Sequence, residues 1–112
     1  MDELNPSQQP GEAPVSFDAA TDADGNAVVR ISGELDISAI DMLQARVGPV
    51  LDSKPARLVV DVSELRFADS SAIALWVRWS GQVSEFELRH PSPLLLRVIK
   101  GMGLAEKLGV EP

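Results

Sequence analysis

The sequence predicts an α/β fold: a single domain on a mixed sheet of four or five strands, with an antiparallel hairpin at its N-terminal end and helices packed mainly on one face. Three observations carry this expectation. Strand-like and helix-like hydrophobic periods follow one another in the order strand, strand, helix, strand, helix, strand, helix, as strand-helix-strand crossovers require. The run Leu58-Val59-Val60 is apolar at consecutive positions, the pattern of a strand covered on both faces in the middle of a sheet. A length of 112 residues with 45% hydrophobic content suits one compact core rather than two.

Residues 1–14, MDELNPSQQPGEAP, hold three of the eight prolines and few apolar side chains. They bury too little surface to offset the entropy of ordering, so a loose tail is expected ahead of a domain spanning residues 15–112. Val15-Ser16-Phe17 alternates as a short strand, Asp22-Ala23-Asp24-Gly25-Asn26 is rich in turn formers, and residues 27–31 alternate again, which together read as a hairpin. Gly33-Glu34-Leu35-Asp36 then leads to Ser38, expected to cap a helix over residues 38–52. That helix carries Ile40, Leu43, Val47 and Leu51 at helical spacing and stops before Pro55.

Residues 57–61 form the expected central strand, and residues 62–68 a short connection to a second helix that opens at Asp69-Ser70-Ser71. Along this helix Ala72, Leu75, Trp76, Trp79 and Val83 form one stripe, widened by Ile73 and Val77, so the two tryptophans are assigned to the core. Phe86-Glu87-Leu88-Arg89 alternates as an edge strand. His90-Pro91-Ser92-Pro93 breaks it and opens a third helix with Leu94, Leu95, Val98 and Ile99, ended by Gly101 and Gly103, before one more short turn at residues 104–108. In such a sheet the loop containing Asp36 and the loop before Ser70 should meet at the carboxyl edge of the parallel strands, where functional loops collect.

Composition narrows the function. Ten Lys+Arg against seventeen Asp+Glu give a net charge of -7, which opposes binding to a phosphate backbone, so nucleic acid is set aside. No cysteine is present, which excludes disulfides and thiol chemistry and suits a cytoplasmic protein. No apolar run has the length of a signal peptide or a membrane span. The eight glycines are scattered in turns rather than gathered in a phosphate loop, and metal-ligand spacing is absent. His90 is the only histidine and stands far along the chain from Ser70 and Ser71; neither serine has a small-residue elbow around it. Asp36 and Asp69 pair as carboxylates without any mark of a sugar cleft. The residues therefore read as a small binding module rather than an enzyme, and Asp69-Ser70-Ser71 as a helix cap that is also a surface site.

Three segments, Ile31-Ser32-Gly33-Glu34-Leu35-Asp36, Leu58-Val59-Val60-Asp61-Val62-Ser63 and Phe67-Ala68-Asp69-Ser70-Ser71, resemble in order and spacing the STAS domains of bacterial anti-sigma factor antagonists. Pro91-Ser92-Pro93 with the amphipathic stretch to Gly103-Leu104 fits the same pattern, so the likeness covers residues 15–108. The resemblance implies a regulatory module that binds an anti-sigma factor serine kinase while unphosphorylated, frees a sigma factor, and lets go when phosphorylated. The acceptor it implies is Ser70, with Ser71 as the alternative, and the partner-binding residues are Asp36, Asp69, Ser70, Ser71, Ala72 and Ile73. It implies no cofactor of the chain's own, since ATP and magnesium come with the kinase, and a Ser/Thr phosphatase to reset the serine. The expected setting is cytoplasmic, as a monomer or weak dimer, away from nucleic acid and membrane. Two rivals stand beside this reading: an unphosphorylated STAS scaffold in a signalling assembly or lipid transporter, and, more distantly, a small serine hydrolase. Two departures from the family pattern are Ala72 where a glycine is usual and an end at Pro112, which is expected to leave the far edge of the sheet less protected.

Overall fold

The computed structural model describes residues 15–110, so the expected tail at residues 1–14 lies outside the described part. Four strands and three helices follow in the order β1 (Ser16–Thr21), β2 (Ala27–Leu35), α1 (Ile37–Asp52), β3 (Arg57–Ala68), α2 (Ser70–Ser80), β4 (Glu85–Arg89) and α3 (Pro93–Gly101). The sheet order is β1-β2-β3-β4, antiparallel at β1/β2 and parallel at β2/β3 and β3/β4. This is the expected mixed sheet with its N-terminal hairpin, in the four-stranded form.

The core lies between the sheet and α1 and α2. Val29 and Ile31 of β2, Leu58, Val60 and Val62 of β3, and Leu88 of β4 meet Leu43 and Val47 of α1 and Leu75, Trp76 and Trp79 of α2, all of them buried. Both tryptophans are therefore core residues, and Trp76 is the largest of the fully enclosed side chains. On the opposite face the register places Val59 beside Val28 and Glu87, and here charged residues replace a helix layer: Arg57 and Arg89 both pair with Glu87, and Arg30 approaches Asp61 at 3.9 Å. Val59 is thus buried without the apolar layer that its run of neighbours predicts for both sides of the strand.

β1, β2 and β3 all exceed their sequence-predicted lengths, and the extensions of β2 and β3 shape the carboxyl edge of the sheet. β3 continues through residues 62–68, taken from sequence as a connection, because β2 also continues, to Leu35, and the two pair as far as Leu35 with Ala68. Gly33 makes the extension possible. Its φ of 92° is costly for any residue with a Cβ, and the register shifts between Gly33 and Glu34, a bulge that re-aims the end of β2. β4, in contrast, pairs with β3 only over Arg57 to Asp61. The distal half of β3 therefore has a strand neighbour on one side alone.

The far edge of the sheet is better covered than expected. Beyond α3 the chain turns back along β4, with Leu108 and Val110 buried and the Leu88 N–H donating to the Leu108 carbonyl at 2.9 Å. Gly109 allows this approach: its φ is 62°, and a Cβ there would overlap the Phe86 carbonyl oxygen and crowd the Glu87 Cα at 3.1 Å. Gly109→Ala therefore combines backbone strain with a clash and should cost about 2 kcal/mol or more, lowering the melting temperature by roughly 8 °C. Calorimetric melts of wild type and variant check this, and an unchanged midpoint would mean that the C-terminal segment does not hold the β4 edge.

Candidate functional site

The carboxyl edge of β2 and β3 carries two helix starts built from one local pattern, Asp-X-Ser. At α2 the N-cap is Asp69, whose Oδ1 accepts from the Ser71 N–H at 3.0 Å, the Ala72 N–H at 3.4 Å and the Ser71 hydroxyl. At α1 the N-cap is Asp36, whose Oδ1 accepts from the Ser38 N–H at 3.0 Å and the Ser38 hydroxyl at 2.5 Å. The sequence reading gave the α1 cap to Ser38, but that serine is a donor and the aspartate two residues earlier is the acceptor. An aspartate has the reach and the charge to satisfy several free N–H groups at once, and the helix dipole favours it there. The repeated Asp-X-Ser was the signal that could have located both caps.

The two junctions are tied to each other. The Asp69 N–H donates to the Leu35 carbonyl at 3.3 Å, joining the end of β3 to the end of β2. The Ser71 hydroxyl, with the backbone N–H groups of Ala72, Ser71 and Ile37, holds the Asp69 carboxyl below its ordinary range against an opposing push from partial desolvation. Ile37 belongs to the other helix start. Asp36 and Asp69 therefore sit at one edge, as their loops were expected to do.

The residues named from sequence have different surroundings. Ser70, at the first helical position, is exposed, and its hydroxyl has no hydrogen-bond partner among the described residues. Ser71 is half-buried and its hydroxyl is committed to Asp69. Ala72 is enclosed completely, so its methyl group packs into the core and is not displayed to a partner. Ile73 is also buried, at the floor of a groove.

That groove, of about 200 Å³, escaped the sequence reading. It runs from Asp69 and Ser70 between Phe67 on the distal half of β3 and Leu94 and Val98 on α3, with Met102 at that helix's C-cap. Ser92 caps α3 by accepting from the Leu95 N–H at 3.1 Å, and the left-handed His90, with φ of 61°, turns the chain out of β4 so that α3 can stand opposite β3. The signal was present as a second apolar stripe on α3, Leu94, Val98 and Met102, beside the stripe through Leu95 and Ile99 that packs inward.

Among the described residues, no group of acidic or histidine side chains is placed to hold a metal ion, and no helix is long and apolar enough to cross a membrane. His90 follows β4 beside Asp61 rather than lining the Ser70 groove. Burial pushes the Asp61 carboxyl up, but hydrogen bonds from Ser63 and the charges of His90 and Arg30 outweigh it and leave the group below its ordinary range.

Comparison with known proteins places this geometry. The sequence pattern of the family described as Mlab, STAS domain matches residues 19–110. The anti-sigma-F factor antagonist RsfB of Mycobacterium tuberculosis is 31% identical over 86 residues, which is 74% of this chain and 70% of that protein. The crystal structure of an anti-sigma factor antagonist from Mycobacterium paratuberculosis superposes with a TM-score of 0.79 at 26% identity, covering 90% of each chain. The Bacillus cell fate determinant SpoIIAA in its phosphorylated form shares the fold, with a TM-score of 0.69 at 22% identity over 87% of this chain and 92% of that one.

The capping arrangement sets a stability expectation with a defined pH dependence. Asp69 has a lowered folded-state pKa, so its contribution is present above the unfolded carboxylate range and is lost as pH falls through the folded value. Asp69→Ala should cost about 1 kcal/mol in urea titrations at pH 7, and the gap to wild type should close as pH falls through the lowered folded-state value. A gap that persists in acid would assign the loss to packing rather than to the carboxylate. Asp36→Ala should cost a similar amount, lowering the melting temperature by about 4 °C, since Asp36 is a cap as well as an edge residue.

Proposed function

The chain belongs to the STAS domain family as an anti-sigma factor antagonist-like protein, and from that premise we propose that it is a phosphorylation-controlled antagonist that binds a kinase-type anti-sigma factor while Ser70 is free. The observation that carries the reading is the contrast between the two serines. Ser71 is half-buried and its Oγ donates to Asp69, whereas the Ser70 hydroxyl is exposed and uncommitted among the described residues. Ser70 is therefore the acceptor and Ser71 is a capping residue.

In the transfer step the partner supplies ATP and magnesium. Ser70 Oγ forms a bond to the γ-phosphorus, the bond from that phosphorus to the ADP oxygen breaks, and the hydroxyl proton leaves to the kinase or to solvent. The product carries nearly two negative charges at the amino end of α2. The helix dipole tolerates that charge within this chain. A partner seated on Ser70 meets a bulky anion beside Asp69 instead of a hydroxyl, so the modification ends binding, a sigma factor is recaptured, and a Ser/Thr phosphatase resets the site.

The scaffold reading keeps the same surface but needs no chemistry at Ser70. The hydrolase reading calls for a histidine beside the serine, and His90 follows β4 near Asp61 rather than lining the Ser70 groove, while the one carboxylate at the Ser71 hydroxyl is the capping Asp69.

Two measurements test the proposal. Incubation with the anti-sigma kinase and ATP, followed by mass spectrometric mapping, should place phosphate on Ser70, and Ser70→Ala should abolish transfer while leaving partner affinity and fold nearly intact. Stoichiometric labelling of the alanine variant would reject Ser70. Ser70→Asp should fold as well as wild type yet bind the kinase roughly tenfold to thousandfold more weakly in titration calorimetry, because an unpaired charge enters a contact built for a hydroxyl. Equal affinities would favour the scaffold.

A further inference from the structure

We propose that Arg66 is the phosphate-holding side chain of this edge: once Ser70 carries phosphate, the guanidinium pairs with it at the mouth of the groove and fixes the anion against the end of β3. The inference rests on the antagonist reading and adds to it the contact that receives the modification.

The end of β3 is built to free this arginine. β2 and β3 pair Gly33 with Leu65 and then Glu34 with Phe67, so Arg66 is the extra residue of the bulge and has no register partner on β2. β4 pairs only as far as Asp61, so the other side of Arg66 carries no strand either. A bulge beside a functional edge re-aims a side chain, and the one re-aimed here is a cation in a chain of net charge -7. The other arginines of the sheet face carboxylates: Arg30 approaches Asp61, and Arg57 and Arg89 both pair with Glu87. Arg66 is exposed and makes no ion pair or hydrogen bond among the described residues.

Position and chemistry then select the phosphate. Arg66 and Ser70 line the same groove. They are four positions apart, so their Cα atoms lie within about 14 Å, a span that an arginine and a phosphoserine extended toward each other can close. The nearest backbone donors are already engaged: the N–H groups of Ser71 and Ala72 bond the Asp69 carboxylate, and that of Ile73 bonds the Asp69 carbonyl at 3.4 Å. A phosphate on Ser70 thus has Asp69 as an anionic neighbour and Arg66 as the cation lining its groove. A guanidinium meets two phosphate oxygens with two parallel N–H groups, which is the strong, charge-assisted geometry. One arginine offsets only part of nearly two negative charges, so the modified edge stays anionic and still excludes a partner built for a hydroxyl.

The test installs phosphoserine at position 70 of the full chain by genetic encoding, which needs no kinase, and follows the second phosphate ionisation by phosphorus NMR. That ionisation ordinarily falls near about pH 6. With Arg66 present it should lie at least about half a unit below its value in Arg66→Gln, because a paired guanidinium favours the dianion. Asp36 and Asp69 are common to both chains and cancel in the difference. Arg97→Gln removes one positive charge from an exposed position on α3 outside the groove lining, and it should leave the ionisation where it is. Arg66→Lys keeps the charge without the fork and should recover part of the shift. Circular dichroism confirms that these surface variants fold. Equal ionisation in the parent and in Arg66→Gln, or an equal change in Arg97→Gln, overturns the pairing. Kinase labelling of Ser70 is a separate readout: a labelled Ser70 whose phosphate ignores Arg66 overturns the pairing and leaves the antagonist reading standing. An Arg66-dependent ionisation in a chain that no kinase labels upholds the pairing and rejects that reading.

Discussion

The structure depends on a hydrogen bond between two strand ends, from the Asp69 N–H to the Leu35 carbonyl, and on the carboxylate that follows it. A parallel strand pair needs its last backbone groups satisfied where the chain departs into helices, and each helix arrives with free N–H groups of its own. One aspartate addresses both needs: its backbone closes the β2/β3 ladder, and its side chain collects N–H groups and a hydroxyl at α2. The same Asp69 N–H to Leu35 bond brings the start of α1, at Ile37, into the field of this carboxylate. The amino ends of two helices are thereby held side by side, with Ser70 between the core and solvent.

The mismatch in strand length gives this edge its second property. β3 has twelve residues and β4 has five, so the sheet stops on one side before β3 does. In an ordinary strand-helix-strand repeat the next strand would fill that space. Here the chain leaves at His90, and α3 stands off as the far wall of a groove, with apolar residues on both of its faces. Ser70, the proposed acceptor, and the groove therefore share an origin, since Ser70 follows the end of β3 and the groove follows the same free half of β3.

Much of this was legible in the sequence, because the signals were strong where burial was complete. The run Leu58-Val59-Val60 located the central strand, the stripe through Trp76 and Trp79 located the helix packed on it, and Asp69-Ser70-Ser71 marked a helix start. The signals failed where a strand is only partly covered. In residues 62–68 Val62 and Leu65 are buried while Ser63, Glu64, Arg66 and Phe67 are exposed, so neither alternation nor a continuous apolar run appears, and the stretch reads as a connection. Choosing Ser38 over Asp36 failed for a different reason. Both are good caps, and only the geometry distinguishes a serine that accepts from one that donates. The groove was missed because periodicity counts apolar residues without saying which of two helix faces meets the core.

The division of labour between the two serines follows from the same chemistry and explains why a charged modification need not disturb the fold. A hydroxyl at the third residue of Asp-X-Ser lies within reach of the capping carboxylate and is drawn into the cap at both helix starts, as Ser38 and as Ser71. The middle residue points outward in both cases and carries no capping duty: it is Ile37 at α1 and Ser70 at α2. Changing the middle residue therefore leaves every capping hydrogen bond in place. The fold provides one position at this edge where chemistry can alter the surface without altering the frame, and at α2 that position holds a hydroxyl.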